Sequence, residues 1–216
     1  MIIHIKRIIR NSLRSIESIV WDFCLGIHSA HKGSGEITAT GMFGDANKFE
    51  AQAHSAIRHI IKQAELSPDD VVFVVGCGKG RALCHFALQH IKRVVGIEIS
   101  ESLARQANTN VKVLHGRKAE AQIIHSDACL ADYSEGSVFY FYNPFGQASM
   151  QNVISKIMEA WRIHHKPVKI IYVNPKFSNV LAGFPEISKT DSYSRGSGVR
   201  VEFYSIKAGL KKAIEN

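Results

Sequence analysis

The 216 residues hold four cysteines, Cys24, Cys77, Cys84 and Cys129, and none falls in a C-x-x-C pair. That spacing argues against a structural zinc site and against a disulfide scaffold. Eleven histidines are spread along the chain, none in H-E-x-x-H spacing. The longest apolar run, Val71 to Cys77 with Gly76 inside it, is far too short to span a bilayer. Internal repeats and low-complexity tracts are absent, which excludes solenoids and collagen-like chains. Unpaired thiols and the lack of a signal-peptide pattern predict a reducing, cytoplasmic setting.

What is there is the composition of an ordinary globular protein, 45% hydrophobic and 21% charged. The length predicts one main domain with a core of its own, residues 47–216, preceded by a helix and loop over 1–46. The formal charge of +8 is unevenly spread. Residues 1–70 hold eight basic and eight acidic residues, whereas residues 144–216 hold eleven and five. A basic face in the last third can attract RNA or an acidic protein, or can simply be a solvated surface.

The first thirty residues read as one amphipathic helix. Ile5, Ile8, Ile9, Leu13, Ile16, Ile19, Val20, Phe23 and Ile27 recur at three- and four-residue steps and share a face. Lys6, Arg7, Arg10 and Arg14 take the opposite face, and no acid precedes Glu17. The regular stripe predicts a helix packed by its apolar side on the body of the domain. A membrane-surface or nucleic-acid contact is the alternative. His31 to Gly35 breaks the pattern as a loop.

From there helix and strand alternate. Helices are expected over 47–64, after Gly80 to Gln89, after a capping Ser100, and over 151–163. Strands are expected over 71–75, 93–99, 122–125, 137–142 and 168–173, with a closing antiparallel hairpin of 187–193 and 199–207 around 194–198. Such alternation implies a parallel sheet covered on both faces, whose ligands bind beyond the carboxyl ends of the strands. Gly76-Cys77-Gly78-Lys79-Gly80, Glu98, Asp127 and Asn143 to Gly146 all fall at such ends.

A glycine loop straight after a strand lets the backbone turn tightly towards a ligand, with the N–H groups of the next helix behind it. Eighteen residues on, Glu98 ends the second strand, where a carboxylate can accept hydrogen bonds from both ribose hydroxyls of a nucleoside. The bland alternative is an acid capping the next helix. Neither the G-x-G-x-x-G form nor the P-loop form is present, so the expected nucleoside lacks a pyrophosphate.

On Val71 to Gly80, Val95 to Ser100, His125 to Ala128 and Phe141 to Gly146, the sequence resembles the class I S-adenosylmethionine-dependent methyltransferases over about residues 47–207. The resemblance implies a Rossmann-like α/β fold: a doubly wound, mostly parallel seven-stranded sheet with a C-terminal antiparallel hairpin. It implies that Gly76, Cys77, Gly78 and Gly80 cradle the methionine and ribose of S-adenosylmethionine. Glu98 with Ile99 would bind the ribose, and Asp127 with Ala128 the adenine. Val74 stands where the family usually has an acid that helps hold the cofactor's amino group. Glu36, Asp45 and Glu50 offer substitutes.

Asn143-Pro144-Phe145-Gly146 is similar to the Asn-Pro-Pro-aromatic motif of amino-group methyltransferases, with Phe145 where the second proline would be. By that likeness the Asn143 amide and the carbonyl of the next residue orient an acceptor nitrogen, Pro144 fixes the turn, and an aromatic stacks on the substrate. The Asn143 amide can instead contact the cofactor only, or belong to a plain turn. Asn174-Pro175 reads as a plain turn, and Cys77 as a small filler. The function implied is methyl transfer to a nitrogen of a protein, RNA or small molecule. A binding protein that kept the fold and lost the cofactor is the alternative, with Val74 as its support.

Overall fold

A computed structural model describes residues 2–30, 41–195 and 199–207, with the side chains of 2–11 and 195 set aside. Glu36, the loop at 31–35 and the hairpin tip 196–198 lie outside the described residues. Strands β1 (Val71–Val75), β2 (Arg93–Glu98), β3 (Glu120–His125), β4 (Val138–Tyr142), β5 (Val168–Val173), β6 (Ile187–Arg195) and β7 (Val199–Ile206) form one sheet in the order β3-β2-β1-β4-β5-β7-β6. Strands β1 to β5 run parallel, and β7 pairs antiparallel with both β5 and β6. The chain steps outward from β1 to β3, then returns to β4 on the other side of β1. That reversal opens a crevice at the carboxyl ends of β1 and β4.

Helices α1 (Ile2–Leu25), α2 (His54–Gln63), α3 (Arg81–Ala87) and α4 (Glu101–Val113) belong to one face, and α5 (Gln147–His164) and α6 (Ser178–Ala182) to the other. The alternation of β1 feeds both cores. Val72 and Val74 join the cluster with Ile57, Leu83 and Phe86, while Val71, Phe73 and Val75 join that with Phe139, Ile154 and Met158. This two-sided burial explains the unbroken β-branched run of β1.

Several expectations need correction. The helix expected over 47–64 begins only at His54. Residues 41–53 instead form an extended strap along the carboxyl edge of the sheet, because its polar groups find partners at the end of β4. Asn47 N–H donates to the Pro144 carbonyl at 2.9 Å, Gly146 N–H to the Asp45 carbonyl at 2.8 Å, and Ala46 bridges Phe145. The break expected at residues 46 and 47 falls inside this strap. Helix α5 starts at Gln147, four residues early, since the Asp45 carboxylate accepts from Ser149 N–H at 3.2 Å and from the Ser149 hydroxyl. A carboxylate there complements the positive helix end. At α4, Ser100 takes the N-cap position but its hydroxyl makes no capping bond.

The last correction concerns α1. Of the expected stripe, the described residues Leu13, Ile16, Ile19, Val20 and Phe23 are exposed, Ile27 is buried beyond the helix end, and a buried polar seat holds the helix. The Asp22 carboxylate accepts from Ser29 N–H (2.7 Å), Ala30 N–H (2.8 Å), the Ser29 hydroxyl (2.6 Å) and His54 Nε2 (3.1 Å). His54 Nδ1 meets His85 Nε2 at 2.8 Å. Arg81 reaches the same knot, donating to Ser29 Oγ, the Gln52 carbonyl and Ser18 Oγ. Burial pushes Asp22 up, but the bonds from His54 and Ser29 and the Arg81 charge outweigh it and hold the carboxyl at about 2. Burial drives His54 down, and burial with the charges of His54, Arg58 and Arg81 drives His85 to about 3. The pair is therefore neutral at pH 7.

Candidate functional site

The crevice is a cleft of about 420 Å³ over the carboxyl ends of β1, β2 and β4. The glycine loop forms its floor. Gly76, Gly78 and Gly80 all have positive φ, at 70°, 55° and 81°. Two of them are also pressed from above. A Cβ on Gly76 would lie 2.5 Å from Pro144 Cβ, and one on Gly78 would lie 2.3 Å from the Phe49 ring. Only glycine satisfies both the backbone conformation and the close approach. Cys77 is buried, its thiol packed against Gly96 and pushed well up by burial, as a filler requires.

Glu98 lies at the end of β2 with 7% exposure. Its carboxylate accepts from Gly78 N–H at 2.8 Å and from Ser100 N–H at 2.9 Å, which ties the glycine loop to the start of α4. Burial raises its pKa, and the backbone N–H groups oppose the rise. An ionised carboxylate has about four lone-pair sites, so it retains capacity for a hydroxyl donor. Glu98 thus serves as the helix-start acid and as a wall of the cleft at once.

Asp127 follows β3. One oxygen accepts from Cys129 N–H at 2.9 Å and the other from Met42 N–H at 2.6 Å, where the strap begins. Ile99 and Ala128 line the cleft beside it. Asn143 ends β4 in the left-handed region, φ 44°, and Asn174 ends β5 likewise at 49°. The Asn143 carbonyl accepts from Asn47 Nδ2 at 2.9 Å, but its side-chain Oδ1 is buried with no partner. Pro144 closes over Gly76. Phe145 is buried, its ring edge-on to Phe141.

The structure therefore brings Gly76, Cys77, Gly78, Glu98, Ile99, Asp127, Ala128, Asn143, Pro144 and Phe145 to one cleft, with Gly80 turning the chain into α3. Of the proposed substitute acids, Asp45 is committed to α5, while Glu50 is exposed at the cleft. Val74 is buried beneath, paired in register with Tyr140.

Sequence reasoning missed the strap's share. Phe49 covers Gly78, and Gln52 is buried over Tyr140, whose hydroxyl donates to Gln52 Oε1. Gln52 Nε2 has no partner. Tyr142 also lines the cleft, its hydroxyl pushed up to about 12 by burial. No local signal marks these residues, because their partners are far along the chain. Among the described residues, the basic excess of the last third does not gather here. Among the described residues Lys176 lines the cleft, whereas Lys189 and Arg200 pair with Glu202, Arg162 pairs with Glu186, and Lys169 donates to the Ala64 carbonyl.

Residues 73–162 match the family model described as a methyltransferase domain. The chain is similar to a protein-lysine N-methyltransferase of Saccharolobus islandicus, 32% identical over 83 residues, or 38% of this chain and 51% of that protein. It is also similar to ribosomal RNA small subunit methyltransferase A of Streptomyces griseus, 36% identical over 77 residues, 35% of this chain and 26% of that one. The matches thus span about half or less of these relatives. Among solved structures, an RNA methyltransferase from Salinibacter ruber in complex with S-adenosyl-L-homocysteine superposes with a TM-score of 0.54, at 18% identity over 77% of this chain and all of that one. Magnesium protoporphyrin IX methyltransferase from Synechocystis gives 0.54 at 14% identity, over 71% and 76%. These likenesses establish a shared fold.

Proposed function

We propose that the chain, whose residues 73–162 match a methyltransferase-domain model and whose seven-stranded sheet carries the cleft at its switch point, transfers a methyl group from S-adenosylmethionine to a nitrogen acceptor. The observation that carries this reading is the pairing of two kinds of group in one cleft. One is a glycine loop braced by a buried carboxylate, and the other is a buried amide oxygen, Asn143 Oδ1, with no partner inside the protein. An unpaired buried polar atom is costly, of the order of 1–3 kcal/mol, and a ligand N–H in the cleft would offset that cost.

The residues fit the cofactor's parts. Glu98 would accept the ribose hydroxyls with the lone pairs that Gly78 and Ser100 leave. Asp127 and Ala128 would flank the adenine. Gln52 Nε2, a buried donor on a residue that lines the cleft and accepts from the Tyr140 hydroxyl, suits the cofactor's carboxylate. When bound, the cofactor supplies a methyl group on a sulfonium, an electrophile strong enough that no potent base is needed. Asn143 Oδ1 would accept a hydrogen from the acceptor amine and aim its lone pair along the methyl–sulfur bond. With the methyl group supplied by the bound cofactor, Asn143 would hold the acceptor nitrogen in place, and the proton displaced from that nitrogen would pass to water. Positioning then carries much of the rate.

The Pro144 carbonyl accepts from Asn47 N–H and keeps a second lone pair for the acceptor amine. Support for nitrogen comes from Asn143 itself and from the N-methyltransferase to which the chain is similar. Protein, RNA and small molecules all remain in the acceptor screen.

Calorimetric titration with S-adenosylmethionine and S-adenosylhomocysteine, followed by a labelled-methyl screen of those acceptors, tests the proposal. Binding of both, with label stable to the treatments that cleave esters, is expected. Absence of binding to either nucleoside would overturn it.

A further inference from the structure

Helix α1 is held by its polar side and presents its apolar side outward. Leu13, Ile16, Ile19, Val20 and Phe23 are 60%, 58%, 60%, 52% and 85% exposed, while Asp22 and Leu25 face the body. At 100° per residue these five spread over roughly 120° of the helix, a broad stripe rather than the narrow seam of a coiled coil. The same spacing runs back in the sequence to Ile9 and Ile5. A continuous exposed apolar stripe on a helix calls for an occupant.

We propose that α1 lies in the plane of an anionic lipid surface, with this stripe sunk among the acyl chains. Charge decides the occupant. The first sixteen residues hold Lys6, Arg7, Arg10 and Arg14 and no acid. Negative headgroups attract that charge across the short distance that a helix lying in the interface leaves between its polar face and the lipid surface. A second copy laid alongside in parallel would set four like charges against four, and the wide stripe exceeds what one partner helix covers. RNA offers phosphates for the basic residues but nothing for the stripe. No described helix is long and apolar enough to cross a membrane, so the fitting arrangement is in-plane. The seat of Asp22, His54 and His85 then fastens the domain to the other side of the helix.

This inference stands apart from the methyltransferase reading, and its test measures membrane partition alone. The full chain is floated with vesicles of phosphatidylcholine, or of phosphatidylcholine and phosphatidylglycerol in a two-to-one ratio. Binding is expected to the mixed vesicles, at least about fivefold above the neutral ones, and to fall with added salt. Replacing Arg14 by Gln should weaken it about fivefold, the scale of one basic residue at such a surface. The double variant Ile16→Asp with Phe23→Asp should abolish it without moving the melting curve, since both side chains are exposed. Flotation with neither vesicle, equal flotation with both, or binding that survives the double variant would overturn the proposal. So would a solution dimer by light scattering that the double variant dissolves, which would assign the stripe to a second copy.

Discussion

The two sides of the cleft differ in how far the protein satisfies its own polar groups. On the β2 and β3 side, each carboxylate oxygen of Glu98 and Asp127 has a protein donor: Glu98 takes Gly78 and Ser100, and Asp127 takes Met42 and Cys129. On the β4 side, Asn143 Oδ1 and the nearby Gln52 Nε2 are buried without partners. The first side is a rigid wall that the fold completes alone. The second holds unmet hydrogen-bonding capacity, which a folded protein retains at a cost and for which a ligand is the simplest account. The comparison teaches that neighbouring strand ends of one sheet can differ in kind: carboxylates that the protein itself braces on one side, and amide atoms left for a ligand on the other.

The largest expected effect falls on the unsatisfied side. Asn143→Ala should cut turnover about a hundredfold or more, the scale for losing one oriented polar group. Because φ at Asn143 is positive, alanine also adds backbone strain of about 1 kcal/mol, and the melting temperature should drop slightly. Asn143→Gly removes that strain. Steady-state kinetics should show the same loss of turnover in the glycine variant, and a glycine variant of wild-type rate would reduce the asparagine to a turn residue.

On the satisfied side, Glu98→Ala should weaken S-adenosylhomocysteine binding by about 1.5–3 kcal/mol, measured calorimetrically. Unchanged affinity would mean that the carboxylate only braces the glycine loop.

A pH series probes the support beneath that loop, where Arg81 joins the start of α3 to the α1 seat. His85 is held at about 3 in the folded protein, and His54 is also lowered, against an ordinary value near 6.5. Between those values the unfolded chain binds more protons, so stability is complete above about 6.5 and falls as pH drops towards 3. Each neutral histidine contributes a slope of up to about 1.4 kcal/mol per pH unit. Urea unfolding at pH 7, 6 and 5 should show the decline, and His85→Gln should flatten it. An identical slope in the variant would place the titration elsewhere.

The smallest effect belongs to the strap that joins the two sides. Asn47→Ala removes the bond to the Asn143 carbonyl and should cost about 0.5–1 kcal/mol by chemical denaturation, with cofactor affinity unchanged. A large loss of cofactor affinity would show that the strap belongs to the cofactor wall.

The glycine loop, Glu98, Asp127 and Asn143 were legible because each is a polar or glycine residue ending an apolar run, and a parallel sheet gathers such ends on one edge. The strap was not. Ala51, Ala53, His54, Ile57 and Ile60 carry a helical period that reads smoothly back to Asn47, yet backbone partners at Pro144 and Gly146 outcompete the helix there. Short helix α6 also escaped notice, being five residues long with no cap of its own.

Local pattern alone, then, determined the alternation of elements, the two-faced burial of β1 and the strand-end placement of the site, since period and turn chemistry are written within a few neighbouring residues. Only the tertiary structure decided which side of α1 turns inward, because the deciding bonds join Asp22 to His54, 32 residues away, and Arg81 to Ser29, 52 away. It likewise decided that Gln52 meets Tyr140 across 88 residues. A burial period shows that a helix has two faces. Which face is seated depends on a polar network assembled from segments that meet only when the chain is folded.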